Sequence, residues 1–404
     1  MTQRPHSFIG PRAIALAATL TLLTLSASAN AQSNVTLYGT IDSGFVHANH
    51  TDGLNGPQSR SMITSNIISG SRWGLRGTEP LGRGLSAMFQ IESGFNAVNG
   101  EMGNGGRAFG RKSIVGLTST EWGEVTIGRQ YDPVVNLVQG MTADGYFGGF
   151  FATPGDVDNY DNGARINNSI RYATPNFGGL QFEGMYASGN VAGETGAGRS
   201  YGVAGAYNNG PLALGAGFFF ADGGNTRAAY GYREWTSSAG SLFNSPINSG
   251  FRTASKVRIA RVAGKYAVGP AILGLSYSNA QYASDGLSEF TGTATFDTVN
   301  AFATYALTPA INTGIGYSYT RMRGARNLGA HYNQFNAGVT YALSKRTSTY
   351  VIGGYQQAIG KTLDSGQTVD AVAGRHGPEA QLLTPFVLIG PNTWKPAGSA
   401  RFFQ

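Results

Sequence analysis

A two-residue period returns along most of the chain, and it limits the fold more than any other feature. In SRWGLRGTE (71–79), Trp73 and Leu75 share one strand face, while Arg72 and Arg76 share the other. VTLYGTIDSGF (35–45) sets Val35, Leu37, Ile41 and Phe45 against Tyr38, Thr40 and Asp42. LSAMFQIESGF (85–95) sets Leu85, Phe89, Ile91 and Phe95 against Ser86, Gln90 and Glu92. INTGIGYSY (311–319) sets Ile311, Ile315, Tyr317 and Tyr319 against Asn312, two glycines and Ser318. Such strands need an apolar medium on one side and a polar one on the other.

The connections alternate in length. Short ones lie at 79–84, 119–124, 174–179, 208–211, 268–271, 307–310 and 343–346, each marked by Gly, Pro, Asn or Ser. Long polar or glycine-rich segments lie between them. Seven tight turns pair fourteen strands, and a first and a last strand bring the expected total to sixteen. Tyr266-Ala-Val-Gly-Pro, Tyr305-Ala-Leu-Thr-Pro and Tyr341-Ala-Leu-Ser-Lys repeat one spacing before a turn, and Tyr207-Asn-Asn-Gly-Pro is close to it. Tyrosines at one end of several hairpins fit an interfacial girdle, ring in lipid and hydroxyl at the headgroups.

Composition agrees. Charged residues make up 13% of the 404, and 60 are glycine; a soluble domain carries about 25% charge. The N-terminus has Arg4 and Arg12, an apolar run from Ala13 to Leu25, and Ala29 and Ala31 at small-residue positions. Residues 1–31 therefore read as a cleaved signal peptide. Residues 32–404 remain, 373 in all, with a formal charge of +5. No later apolar run is long enough for a membrane helix, and without cysteine there is no disulfide. No dense Lys/Arg run suggests nucleic acid.

The expected fold is all-β: a transmembrane antiparallel barrel of about sixteen strands with short periplasmic turns and long extracellular loops. Closure follows because lipid cannot satisfy an open sheet edge. Sixteen strands leave a water-filled lumen, which is what Arg72 and Arg76 would face. By the same parity Glu92, Arg171, Arg261 and Lys265 line it.

The stretches SNVTLYGTIDSGF, SRWGLRGTEPLGRGLSAMFQIESGF, GEVTIGRQYDP and NNSIRYATPNFGGL resemble the Gram-negative general-diffusion porins of β-proteobacterial type, over about 33–358. The resemblance implies a homotrimer in the outer membrane passing ions and small hydrophilic solutes. It also implies a third loop folded into the barrel to narrow it. Here that loop is about 131–167 and carries Tyr146, Phe147, Phe150 and Phe151, which need a surface to pack on. The inner wall would serve; an external loop across the mouth is the alternative. The resemblance carries a basic wall over to Arg72, Arg111, Arg129 and Arg171, with Arg76 added by parity. The parity of Arg111 and Arg129 matches the apolar set of their own strands, so only a bulge or strand end would turn them inward. Facing them would stand Asp144, Asp156, Asp158 and Asp161 of the loop.

The expected mechanism is passive diffusion through a charged aqueous constriction, with weak anion preference that fades as salt rises. A channel specific for small anions is the alternative, and a secreted β-rich adhesin a more distant one. No Ser, His and Asp/Asn constellation supports an enzyme. His47 and His50 lack a third metal ligand, so neither cofactor nor metal is expected. Other expected partners are outer-membrane lipid, lipopolysaccharide and the barrel assembly machinery. The C-terminus is atypical from about His376. The run 382–390 does not alternate, Pro385, Pro391 and Pro396 cannot donate ladder bonds, and the chain ends Phe402-Phe403-Gln404 rather than in Phe. A shifted reading frame over 376–404 would account for this.

Overall fold

The computed structural model describes residues 34–53, 56–190, 192, 197–222, 242–324, 328–364, 366–373, 379–384 and 390–391. The expected signal peptide and most of the atypical tail lie outside these residues. β1 (Asn34–Thr40) and β2 (Ser43–Gly53) are two parts of the first barrel stave; β3 (Gly56–Ser65) and β4 (Arg72–Gly82) are parts of the second. Then come β5 (Leu85–Gly94), β6 (Lys112–Ser119), β7 (Gly123–Gln130), β8 (Ile166–Ala173), β9 (Leu180–Ala187), β10 (Ser200–Asn209) and β11 (Leu212–Asp222). They are followed by β12 (Lys256–Val268), β13 (Ala271–Ala283), β14 (Thr293–Ala306), β15 (Ile311–Arg323), β16 (Gly329–Ala342) and β17 (Thr347–Asp364). β18 (Gln367–Asp370) folds back on the extension of β17, β19 (Glu379–Thr384) is the last stave, and β20 (Gly390–Pro391) adds to the start of β17. The described strands make sixteen antiparallel staves in one sheet.

All seven short connections fall between successive paired strands. At the first, Gly82, Arg83 and Gly84 all have positive φ, a conformation glycine adopts without a Cβ clash. The expected single strand over 35–45 is broken at Ile41–Asp42. The Asp42 amide takes the Ser71 hydroxyl instead of a ladder partner. At the seam, β19 pairs with β17 over six residues and with β2 through Leu382↔Ala48 and Leu383↔His47. The residues that close the sheet therefore precede Pro385.

The two faces separate as alternation requires. Leu37, Trp73, Val115, Ile127, Ile170, Leu275, Ile315 and Val351 are exposed on the outside, where lipid covers them. Tyr266, Tyr305 and Tyr341 lie exposed at the tight-turn end; Tyr207 is partly covered. A second exposed aromatic row, Tyr277, Tyr317 and Phe335, lies toward the long-loop end. The apolar core is inside the barrel, where the third long loop and the segment 242–255 pack on the wall of β9–β17, with Val46 and Ile67 added from the first two staves.

Candidate pore constriction

The third loop leaves β7 through Tyr131 and begins with the helix α1 (Pro133–Val138). Asp132 caps it, accepting from the amides of Val134 (2.8 Å) and Val135 (3.1 Å), and Pro133 occupies the first turn, where no amide bond is lost. Burial pushes the Asp132 carboxyl up despite these bonds.

Glycines on the inner wall make room for the loop. A Cβ at Gly217 would lie 2.9 Å from Val134, and one at Gly215 would lie 3.0 Å from the Met141 sulfur. Phe147 fills the space over Gly314 and Gly338, and Phe151 that over Gly316, where added Cβ atoms would lie 2.1, 3.0 and 2.9 Å away. The two rings stack at 4.8 Å between centroids. The loop aromatics thus pack on the inner wall, not across the mouth, and the two glycines opposite Ile315 in 311–319 are part of their seat.

Polar anchors fix the rest. Gln334 donates to the carbonyls of Phe150 (3.0 Å) and Ala152 (2.9 Å). Lys265 Nζ donates to the Gly140 carbonyl (2.9 Å) and the Tyr146 hydroxyl (3.0 Å). The Arg261 guanidinium lies 3.7 Å from the Asp158 carboxylate and 3.7 Å from the centroid of the Tyr160 ring. Thr153 (3.1 Å) and Ser278 also donate to Asp158. Arg261 and Asp158 are buried, so they act as a fastening behind the loop and do not oppose each other across water. Removing one partner of such a pair costs about 3–5 kcal/mol.

The other expected acids also have loop partners. Asp144 is buried, accepts from Gln139 (2.8 Å) and Thr142, and is pushed up to about 7 by burial. Asp156 accepts from the amides of Asp161 (2.8 Å) and Gly163 (3.3 Å); burial, then Asp161 and Asp158, raise its carboxyl well above the usual range. Asp161 is exposed.

The β4–β9 wall carries two clusters, and loop 3 meets the second through Asn136, which donates to Glu183 (2.9 Å). In the first, Glu92 is the hub. It accepts from Arg111 Nε (2.7 Å) and the Tyr38 hydroxyl (2.9 Å), with Arg72 Nε 3.9 Å away. Arg111 turns inward because it precedes β6, at the strand end that its parity required. Arg111 and Arg165 each donate to the Tyr131 hydroxyl at 3.0 Å, and Lys112 lies 5.8 Å from that ring. Burial alone would raise the Tyr131 phenol, but Arg111 and Arg165 hold it below its ordinary value. Arg76 is exposed on the lumen face, 5.6 Å from the Tyr38 ring.

In the second cluster Arg171 is held between Glu124 and Glu183, the latter at 2.8 Å, and bonds Gln130 (3.1 Å). Arg129 joins neither cluster. It sits at the β7 register shift, is 7% exposed, and donates to the Gly110 carbonyl (2.8 Å) and Asn167 (2.6 Å), tying two loop bases together. Sequence reasoning missed Tyr131, Arg165, Lys112, Glu124 and Glu183. Lys112 shares the inward parity of Ile114, a usable signal; Arg165 lies in a loop, where parity has no meaning. His47 bonds Ser61 and Asn49, each at 2.9 Å, and the side chain of His50 lies outside the described residues.

Residues 13–359 match the Gram-negative porin family. An outer membrane porin protein of Bordetella pertussis is 30% identical over 393 residues, covering 89% of this chain and 98% of that protein. The major outer membrane protein P.IB of Neisseria gonorrhoeae is 30% identical, covering 88% and 97%. Among solved structures, the anion-selective porin from Comamonas acidovorans superposes with a TM-score of 0.65 at 24% identity, covering 89% and 98%. The Salmonella typhi OmpF complex with daunomycin gives 0.57 at 18%, covering 90% and 99%. A sixteen-stave sheet, an inward third loop and full-length similarity to outer-membrane porins converge: the chain belongs to the Gram-negative porin family of the outer membrane.

Proposed function

We propose that this chain is a general-diffusion porin with weak anion preference, its constriction bounded by loop 3 and the β4–β9 wall. One observation carries the reading: the cluster holds five cations to one carboxylate, with Arg72, Arg111 and Lys112 acting on Glu92 and with Arg76 and Arg165 joined to it through the rings of Tyr38 and Tyr131. The second cluster has two carboxylates for one cation, so the two together hold six cations and three carboxylates. The similarity to a porin described as anion-selective supports the same sign. Passage needs no catalytic group, and we read the chain as a non-enzyme without cofactor.

The reversal potential of reconstituted channels under a tenfold KCl gradient tests this: anion preference at low salt, lost near 1 M, is expected. Cation preference at low salt would reject it. A channel dedicated to one small anion is the second reading, favoured by the two guanidinium groups that converge on the Tyr131 oxygen. Current that saturates at millimolar phosphate or carboxylate would support it over general diffusion.

We propose a homotrimer, in line with the OmpT trimer form among the structural relatives; conductance steps in multiples of three are expected. The outer face also supports contact with lipopolysaccharide. Lys256, Arg258, Arg321, Arg323, His331 and Lys361 have outward parity just beyond the second aromatic row, and only Asp297 and Asp370 form ion pairs with them among the described residues. A basic edge at that level suits phosphate-bearing headgroups. The tail, with its proposed frame shift, is tested by translating the neighbouring frames of the gene: no alternating strand ending in Phe would reject it.

A further inference from the structure

Asp42 is a buried carboxylate on the lumen side of the first stave, 3% exposed, that touches none of the wall cations. Its Oδ2 accepts from the amides of Ile68 (2.8 Å) and Ser69 (2.6 Å), and its Oδ1 accepts from the Tyr350 hydroxyl (2.7 Å). Its carbonyl accepts from the Asn66 amide and the Ser71 hydroxyl, each at 3.0 Å. These bonds hold the corner 66–71, where the second stave leaves the ladder between β3 and β4. Asn66, at φ 66°, completes the corner by accepting from the Ser71 amide at 2.6 Å.

The corner touches the constriction at three points. Arg72 donates to its Ser69 hydroxyl (3.1 Å) and Gly70 carbonyl (2.8 Å), which fixes the guanidinium near Glu92. Gly70 lies against Arg111, so that a Cβ there would be 2.7 Å from Nη1. Loop 3 abuts it as well: a Cβ at Gly148 would be 2.3 Å from the Ile68 Cα. Ile67 joins Phe147, Phe151, Tyr350 and Ile352 in one apolar cluster.

We infer that Asp42 is a positioning residue: through the 66–71 corner it sets the placement of Arg72 and Arg111 and the resting point of loop 3, and so tunes conductance and charge preference without facing the solute. The Tyr350 bond adds a tie from the first stave to β17 across β19, where the ladder to β2 has two residue pairs. A carboxylate suits this role because three donors meet two acceptor oxygens, whereas an amide offers one acceptor and two donors. The inference rests on reading the Glu92 cluster as the constriction.

The test is Asp42→Asn in the full-length chain, reconstituted in planar bilayers after heat-modifiable migration in SDS has shown an assembled barrel. Expected are a changed single-channel conductance at 1 M KCl, where a Debye length of about 3 Å screens out the charge that the substitution itself removes, and a low-salt anion:cation permeability ratio that falls short of the rise which loss of one lumen-side negative charge alone would give. Tyr350→Phe, which leaves both backbone bonds, should shift both less. Assembled Asp42→Asn channels with wild-type conductance at 1 M KCl would overturn the inference. Should Asp42→Asn not assemble, Asn66→Gly keeps the positive φ and the chain's charge and removes the bonds from the Ser71 amide and the Ser65 hydroxyl (3.0 Å); wild-type currents from it would overturn the inference equally. A wild-type channel without anion preference would refute the selectivity reading, and the corner is then judged on conductance alone.

Discussion

Arg76→Gln isolates one wall charge with little structural cost, because the side chain is exposed and rests against the Tyr38 ring. At about 10 Å from a passing ion, one charge in water is worth ~0.4 kcal/mol. The sign reverses between anion and cation, so the permeability ratio feels ~0.8 kcal/mol, roughly fourfold without screening. A Debye length of about 30 Å at 0.01 M leaves roughly threefold, about 10 Å at 0.1 M leaves ~1.6-fold, and about 3 Å at 1 M leaves almost nothing. Reversal potentials at these three salt levels should show that series, with the variant always less anion-preferring. A variant indistinguishable from wild type at 0.01 M would refute the placement of Arg76 on the conducting wall. A difference persisting at 1 M would refute the electrostatic origin and point to altered pore shape.

Three further outcomes are expected. Gly314→Ala drives a methyl to within 2.1 Å of Phe147; overpacking of this kind costs ~1–3 kcal/mol, read as noisier currents from a displaced loop 3, and steady wild-type currents would contradict the packing argument. Burial raises the Asp144 carboxyl to about 7, so the folded loop holds a proton that the unfolded chain releases above about 4. Loop docking should therefore weaken as pH rises from about 4 to 7 and level off above that, with sub-conductance states more frequent at pH 8 than at pH 5; Asp144→Asn should remove the difference. Replacing Arg321 and Arg323 together with Gln should reduce co-purifying lipopolysaccharide phosphate and leave the reversal potential unchanged, since both face outward.

The barrel was legible because alternation acts as a ruler: once Ile170 and Tyr172 face lipid, Arg171 must face inward, and the structure has it there. The ruler fails wherever the backbone leaves the ladder. NIISGS (66–71) carries no alternation and no Pro, so a long second strand and an inward corner read alike. Arg111 and Arg129 shared the same ambiguity, and the structure resolves them differently: a strand end aims Arg111 at Glu92, while a register shift aims Arg129 at backbone carbonyls. Loop docking then decides which lumen-facing charges conduct. Gly215, Gly217, Gly314, Gly316 and Gly338 seat loop 3 on the β10–β17 wall, where Asp158 and the Gly140 carbonyl engage Arg261 and Lys265. The β4–β9 wall keeps its cations in excess. On the proposed reading, the sign of the pore is set less by how many arginines the strands carry than by which wall has the glycines that let the loop cover it.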